Sequence, residues 1–209
     1  MRSHRPRIGL VTLDLRLASK IRRLIKEYNA ELIHVADPRE LPLDVRVVIG
    51  KRAEGLLKDE KAFYVEDFCS IEELVEKAYE TAIVGSGYKT VLVAIDPGKN
   101  LGVAYFIDNK LVKTGRYGLL DELAEEVRKF IKRHEDAERK YIIVGAATDF
   151  KAVKEALHKL EKKLRGEEVT IMVCDESFTS KGLLPKIKGM SKDEYSALIL
   201  SLKNLLKLE

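Results

Sequence analysis

The sequence predicts an α/β protein in two parts: a small parallel α/β unit, then a mixed sheet in which antiparallel hairpin strands precede parallel ones, flanked by helices. Three observations predict it. Short β-branched runs near the start are separated by stretches too long for hairpins, which suits parallel strands. Asp108-Asn109 stands between two apolar runs, a hairpin signal. Beyond it, helical and strand-like periods alternate.

"RIGLVTLD" reads as the first strand. In "LRLASKIRRLIKEYN" Leu17, Ile21, Leu24, Ile25 and Tyr28 fall at helical spacing, leaving Arg16, Lys20, Arg22, Arg23 and Lys26 mostly outside the packed face. "ELIHVAD", "VRVVIG" and "AFYVED" read as three further short strands, the first two joined by the proline-containing "PRELPLD". This small unit is placed at residues 1–68. "SIEELVEKAYETAIVG" opens with a capping box, Ser70 and Glu73, and carries Ile71, Leu74, Val75 and Ala78 on one face. It ends at "GSG", so 69–87 reads as a connecting helix and linker. Over 88–209 the expected order is strand 90–96, strand 101–107, hairpin partner 110–116, helix 119–134, strand 141–146, helix 149–164, strand 169–174 and a last helix 191–208.

Composition narrows the function classes. The chain has 209 residues, 45% hydrophobic and 34% charged, as a globular protein does. Cys69 and Cys174 stand in unrelated contexts, which argues against a disulfide framework or zinc cluster. No apolar run approaches the roughly 20 residues of a membrane helix, and "MRSHRPRIGL" has no apolar signal core, so no membrane is expected and the default address is the cytoplasm. A formal charge of +4 permits a polyanionic partner without requiring one.

Acidic residues stand at the ends of elements that converge on one edge of the mixed sheet. Asp96 ends the strand "VLVAID", Asp175 and Glu176 follow the strand in "IMVCDESFTS", and Asp193 falls in the first turn of the last helix in "SKDEYSALIL". Carboxylates gathered in this way repel one another unless cations bind between them, and hard oxygen donors suit Mg²⁺ or Mn²⁺. Two such ions can stabilise a phosphodiester displacement. Simpler roles compete: Asp96 can cap the turn at Pro97-Gly98, and Asp193 suits a helix dipole that Ser191 caps. Between Asp175 and Glu176 the sequence does not choose. Lys181, Lys186, Lys188 and Lys192, interleaved with Gly182, Pro185 and Gly189, form either a solvated loop or a contact to a phosphate backbone, and Lys99 lies in the turn after Asp96. "GSGYKT" is not a phosphate loop, since it lacks the glycine before Lys89 and precedes a strand.

"AIDPGKNLGVAYFIDNKLV" resembles the first hairpin of the RNase H-like superfamily in its RuvC and YqgF branch, Holliday-junction-resolvase-like nucleases. "VCDESFTS" is similar to the YqgF-type Asp-Glu-Arg-x-Thr-Thr strand end, and "DEYSALIL" to the start of that family's last helix. All occur in the family's order, over about residues 90–206. The resemblance implies a nuclease domain in which Asp96, Glu176 and Asp193 are catalytic and bind Mg²⁺ or Mn²⁺, with Asp175 a further candidate ligand. A metal-activated water would attack a phosphodiester of structured DNA or RNA, and Lys99, Lys181, Lys186, Lys188 and Lys192 would contact nucleic acid. Three departures stand against full competence. "IIVGAATDF" has no acid until Asp149, Ser177 replaces the usual arginine, and Ser196 stands where RuvC-type enzymes have a second helix aspartate. The absent acid after Val144 and Ser196 favour the alternative of a catalytically degenerate nucleic-acid-binding or assembly module, and the retained Asp96, Glu176 and Asp193 speak against it. The sugar-kinase and actin-like ATPase class, which also opens on an Asp-x-Gly hairpin, needs two such domains and exceeds this length. No motif assigns the first unit, which is open to forming a homodimer, contacting nucleic acid or docking a partner.

Overall fold

A computed structural model describes residues 5–58, 62–85, 87–97, 100–146, 150–175 and 197. The chain divides into two compact units, Met1–Gly87 and Tyr88–Glu209. The first holds a sheet of four parallel strands, β1 (Arg7–Val11), β2 (Glu31–Val35), β3 (Val47–Gly50) and β4 (Phe63–Tyr64), in the order β2-β1-β3-β4. Helices α1 (Leu15–Ile25) and α2 (Ile71–Val84) pack on it. Ile8, Leu10 and Ile49 of the sheet are buried with Leu17, Ala18 and Ile21 of α1 and with Leu74, Val75 and Ala78 of α2. Helix α2 is therefore part of this core and not the free connection its flanking "GSG" suggests; its apolar stripe has a sheet to cover.

Local chemistry sets the helix starts. Ser70 Oγ accepts the Glu73 N–H at 3.1 Å, and the Glu73 carboxylate returns to the Cys69 N–H at 3.2 Å, one residue earlier than the capping box prescribes. Asp14 caps α1 by accepting the Arg16 and Leu17 N–H groups, and Lys51 Nζ meets its other oxygen at 3.0 Å. The Leu17 N–H first, then Lys51, hold the Asp14 carboxyl below the usual carboxylate range. Beside it, Thr12 Oγ1 donates to Glu54 at 2.8 Å. These groups occupy the carboxyl ends of β1 and β3, where the chain leaves β1 toward opposite sides and open α/β sheets commonly bind ligands. Here they bind one another.

Among its described residues the second unit runs β5 (Thr90–Pro97), β6 (Leu101–Ile107), β7 (Lys110–Tyr117), α3 (Leu120–Arg133), β8 (Arg139–Ala146), α4 (Phe150–Lys163) and β9 (Thr170–Asp175). The order is β7-β6-β5-β8-β9. β5 pairs antiparallel with β6, and β6 with β7, while β8 runs parallel to both β5 and β9. This is the mixed sheet expected from the sequence, antiparallel hairpin strands preceding parallel ones. At the hairpin tip Asp108 and Asn109 have φ of 43° and 64°, the left-handed backbone that two-residue loops favour. Asp108 Oδ1 also accepts the Lys89 and Thr90 N–H groups at 2.9 Å each, tying the tip to the start of β5. The pairing of β6 with β7 shifts register between Tyr105 and Phe106: Phe106 faces Leu111, Tyr105 faces Lys113, and Val112 is the extra residue of a bulge.

Val91, Leu92, Val93, Ala94 and Ile95 are all buried, so β5 is covered on both faces, which explains its unbroken apolar run. α4 contacts β5 and β8, α3 contacts β7, and the two helices contact each other. On the sheet face away from them Leu92, Ala94, Ala104, Phe106 and Ile143 pack with Ala197. Ala197, helical and fully buried, is the one described residue of the last expected helix. No helix among the described residues is long and apolar enough to cross a membrane.

Glu125 joins α3 to α4. It meets Arg128 at 2.7 Å and Lys163 at 3.0 Å, while Lys159 pairs with Asp121. Arg128 first and Lys163 second lower the Glu125 pKa from 4.5 to about 2. A depressed carboxylate contributes stability above its unfolded pKa and loses it as pH falls through the folded one. Thermal melts are therefore expected to drop between pH 4.5 and about 2, and to drop less steeply in Glu125→Gln. The pair is partly exposed, so the effect is small. Identical pH profiles for parent and variant would refute the assignment.

Candidate functional site

Asp96 is the next-to-last residue of β5, half-buried at the carboxyl end of the central strand. Strand alternation places it on the face of Leu92 and Ala94, the face that Ala197 covers. Its partner on β6 is Gly102. On β8, Val144 pairs with Ile95, so Gly145 is the next position beside Asp96. Neither neighbouring position carries a side chain. Gly102 in turn pairs with Arg116 on β7, and Gly145 with Cys174 on β9. A single row thus crosses all five strands: Arg116, Gly102, Asp96, Gly145, Cys174.

Of the predicted site residues, Asp96 and Asp175 fall within the described structure. Asp175 ends β9 opposite Ala146, one step beyond the row. Glu176, Asp193, Lys99, Lys181, Lys186, Lys188 and Lys192 lie outside the described residues. Among the described residues no three His, Cys, Asp or Glu side chains gather closely enough to hold a metal ion. The strand β8 ends in Gly145-Ala146, so its backbone delivers no carboxylate to this edge.

The geometry adds a frame that the sequence alone did not offer. Met172 and Cys174 pack toward the Ala94 cluster, so the even-numbered positions of β9 share the face of Asp96. It also adds Arg116, which sequence reasoning missed. Twenty residues separate it from Asp96, and two antiparallel pairings bring them into one row. The available signal was the glycine in "NLGVAY", which marks a place in a strand where something approaches closely.

The donor chemistry fits a hard divalent cation. The Asp96 carboxylate offers oxygen, which Mg²⁺ and Mn²⁺ prefer, between two glycines that are themselves buried.

No protein-family model matches the chain, and no curated protein does. Among solved structures the chain is similar to T. thermophilus RuvC in complex with a Holliday junction substrate. The two are 14% identical with a TM-score of 0.43, over 57% of this chain and 94% of that one. The signal receiver domain of a putative Luxo repressor protein from Vibrio parahaemolyticus is also 14% identical, with a TM-score of 0.16 over 98% of this chain and 96% of that one. Likeness at this level carries no chemistry across.

Proposed function

We propose that the chain is a divalent-metal-dependent nuclease acting on structured nucleic acid. The supporting observation is the carboxylate of Asp96 at the end of a strand buried on both faces, set between two glycine positions on the face that Ala197 covers. Asp96 would hold the cation. Glu176 continues the even-numbered series of Met172 and Cys174, which favours it over Asp175 as the second ligand. Asp193 precedes Ala197 by one helical turn in the expected last helix and would complete the set from that side. Bound there, Mg²⁺ or Mn²⁺ supplies positive charge where a phosphodiester develops negative charge. Lys99, Lys181, Lys186, Lys188 and Lys192 would hold the backbone phosphates, giving binding that weakens with salt and reads shape more than sequence.

The bare end of β8 favours a second reading, a nucleic-acid-binding or assembly module that has lost full metal competence. One experiment separates them. Labelled four-way junctions, single strands and RNA–DNA hybrids are incubated with the purified protein and Mg²⁺, Mn²⁺ or chelator. Cleavage that requires the metal is the expected result. Retained binding with no cleavage of any substrate would sink the nuclease and leave the module.

A further inference from the structure

We infer that the outer face of α1 is a nucleic-acid-binding surface, on which Arg16, Arg22, Arg23 and Lys26 contact backbone phosphates. The choice of nucleic acid among polyanions rests on the function proposed for the second unit; the surface itself does not.

Charge is segregated here without being abundant. Residues 1–87 hold fifteen Lys and Arg and fifteen Asp and Glu, so the first unit is neutral as a whole. Yet α1 has no acidic residue and carries Arg16, Lys20, Arg22 and Arg23, with Lys26 at its carboxyl cap. At 3.6 residues per turn Leu15, Arg16, Ser19, Arg22, Arg23 and Lys26 share a sector of about 120°, and all six are exposed. The opposite side, Leu17, Ala18, Ile21 and Ile25, is buried in the core.

Other exposed cations are neutralised where they stand. Lys20, at the margin of the sector, meets Glu72 of α2 at 3.2 Å, and on the second unit Lys129 meets Glu126 and Lys163 meets Glu125, each at 3.0 Å. Among the described residues no carboxylate or other acceptor meets the side chains of Arg16, Arg22, Arg23 or Lys26. The helix dipole accounts for cations in the last turn, but it disfavours Arg16 in the first. Asp14 does not offset that charge by a pair, since its oxygens are taken by the Arg16 and Leu17 N–H groups and by Lys51.

The partner follows from what the face lacks. A basic helix that lies on a membrane does so with its apolar side in lipid, and the apolar side of α1 is already buried. A second copy would have to offer carboxylates, and those of the neighbouring α2 are engaged: Glu72 by Lys20, Glu73 by the Cys69 N–H, and Glu76 and Glu80 by contacts within the chain. From Arg16 to Lys26 the helix rises about 15 Å, a length over which a duplex presents about nine phosphate charges. The arginine fork matches two phosphate oxygens.

The test measures binding of the full-length protein to a labelled DNA duplex, a four-way junction and an RNA–DNA hybrid across a salt series in chelator, where no metal site contributes. The parent is compared with Arg22→Gln/Arg23→Gln, with Arg22→Lys/Arg23→Lys, and with Lys154→Gln/Lys162→Gln, which removes equal charge from exposed lysines of α4. Loss of two phosphate contacts lowers the slope of log K against log salt by about 1.8 and weakens binding roughly sixty-fold at about 0.1 M salt. The first variant is expected to show both with an unchanged melting temperature, the lysine variant to keep the slope, and the α4 variant to match the parent. An unchanged slope in the first variant would overturn the inference. So would an equal loss in the α4 variant, which would mean diffuse attraction to net charge, or a parent that binds none of the probes. A parent that sediments as a dimer and a first variant that sediments as a monomer would assign the face to a second copy and overturn it too. The expected slopes without cleavage in Mg²⁺ would keep the surface and remove the nuclease; cleavage with an unchanged slope would remove the surface and keep the nuclease.

Discussion

Asp96→Asn is expected to lower metal-dependent cleavage by more than about 10²-fold. Removal of groups that merely support a metal ligand already costs about 10- to 100-fold in metal affinity or activity, so loss of a ligand's charge should exceed that. Asparagine keeps the shape of the side chain and one oxygen, which isolates the charge as the cause. The variant should also bind Mn²⁺ more weakly in calorimetric titration while retaining junction binding, because the phosphate contacts are made by other residues. Cleavage at the parental rate would remove Asp96 from the chemistry and with it the proposed function.

Phe130→Ala should be the costliest single truncation in the second unit, at about 3–5 kcal/mol, when total stability is about 5–15 kcal/mol. Phe130 is 2% exposed on α3, tilted against the Tyr105 ring of β6 at 4.9 Å and edge-on to His134 at 4.7 Å. The His134 imidazole lies 2.8 Å from the Tyr88 hydroxyl, which donates to Asp136 at 2.8 Å, so the ring also supports the polar contacts at the entry to β5. Truncation leaves a cavity between sheet and helix and removes the aromatic pairs together. Urea unfolding, with hydrogen exchange read in β5, β6 and α3, measures the loss. A change below about 1 kcal/mol would mean that the site collapses around alanine and that Phe130 does not hold α3 to the sheet.

Much of the fold was legible because its signals are local. The Asp-Asn turn, the Ser70 and Glu73 pair and the apolar run before Asp96 each reflect the chemistry of a few neighbouring residues. What stayed hidden depends on pairing between distant segments. Nothing near Val112 announces a bulge, so the glycine in "NLGVAY" marks a close approach without showing that Arg116 shares the row of Asp96. The role of α2 was hidden for a similar reason: its apolar stripe shows that it packs, and only the sheet shows against what. The face that the even-numbered positions of β9 take was hidden too, and it is the packing of the partly buried Met172 and Cys174 against the Ala94 cluster that shows it.

The bulge also gives the edge strand one residue of slack. If a single residue between Val112 and Gly115 were lost, β7 could close the bulge and pair as a regular hairpin with Arg116 still opposite Gly102. A gained residue has no such outlet and must form a second bulge or slip the register. The hairpin should therefore tolerate shortening by one better than lengthening by one, an asymmetry that a scan of insertions and deletions would expose and that substitutions cannot reveal.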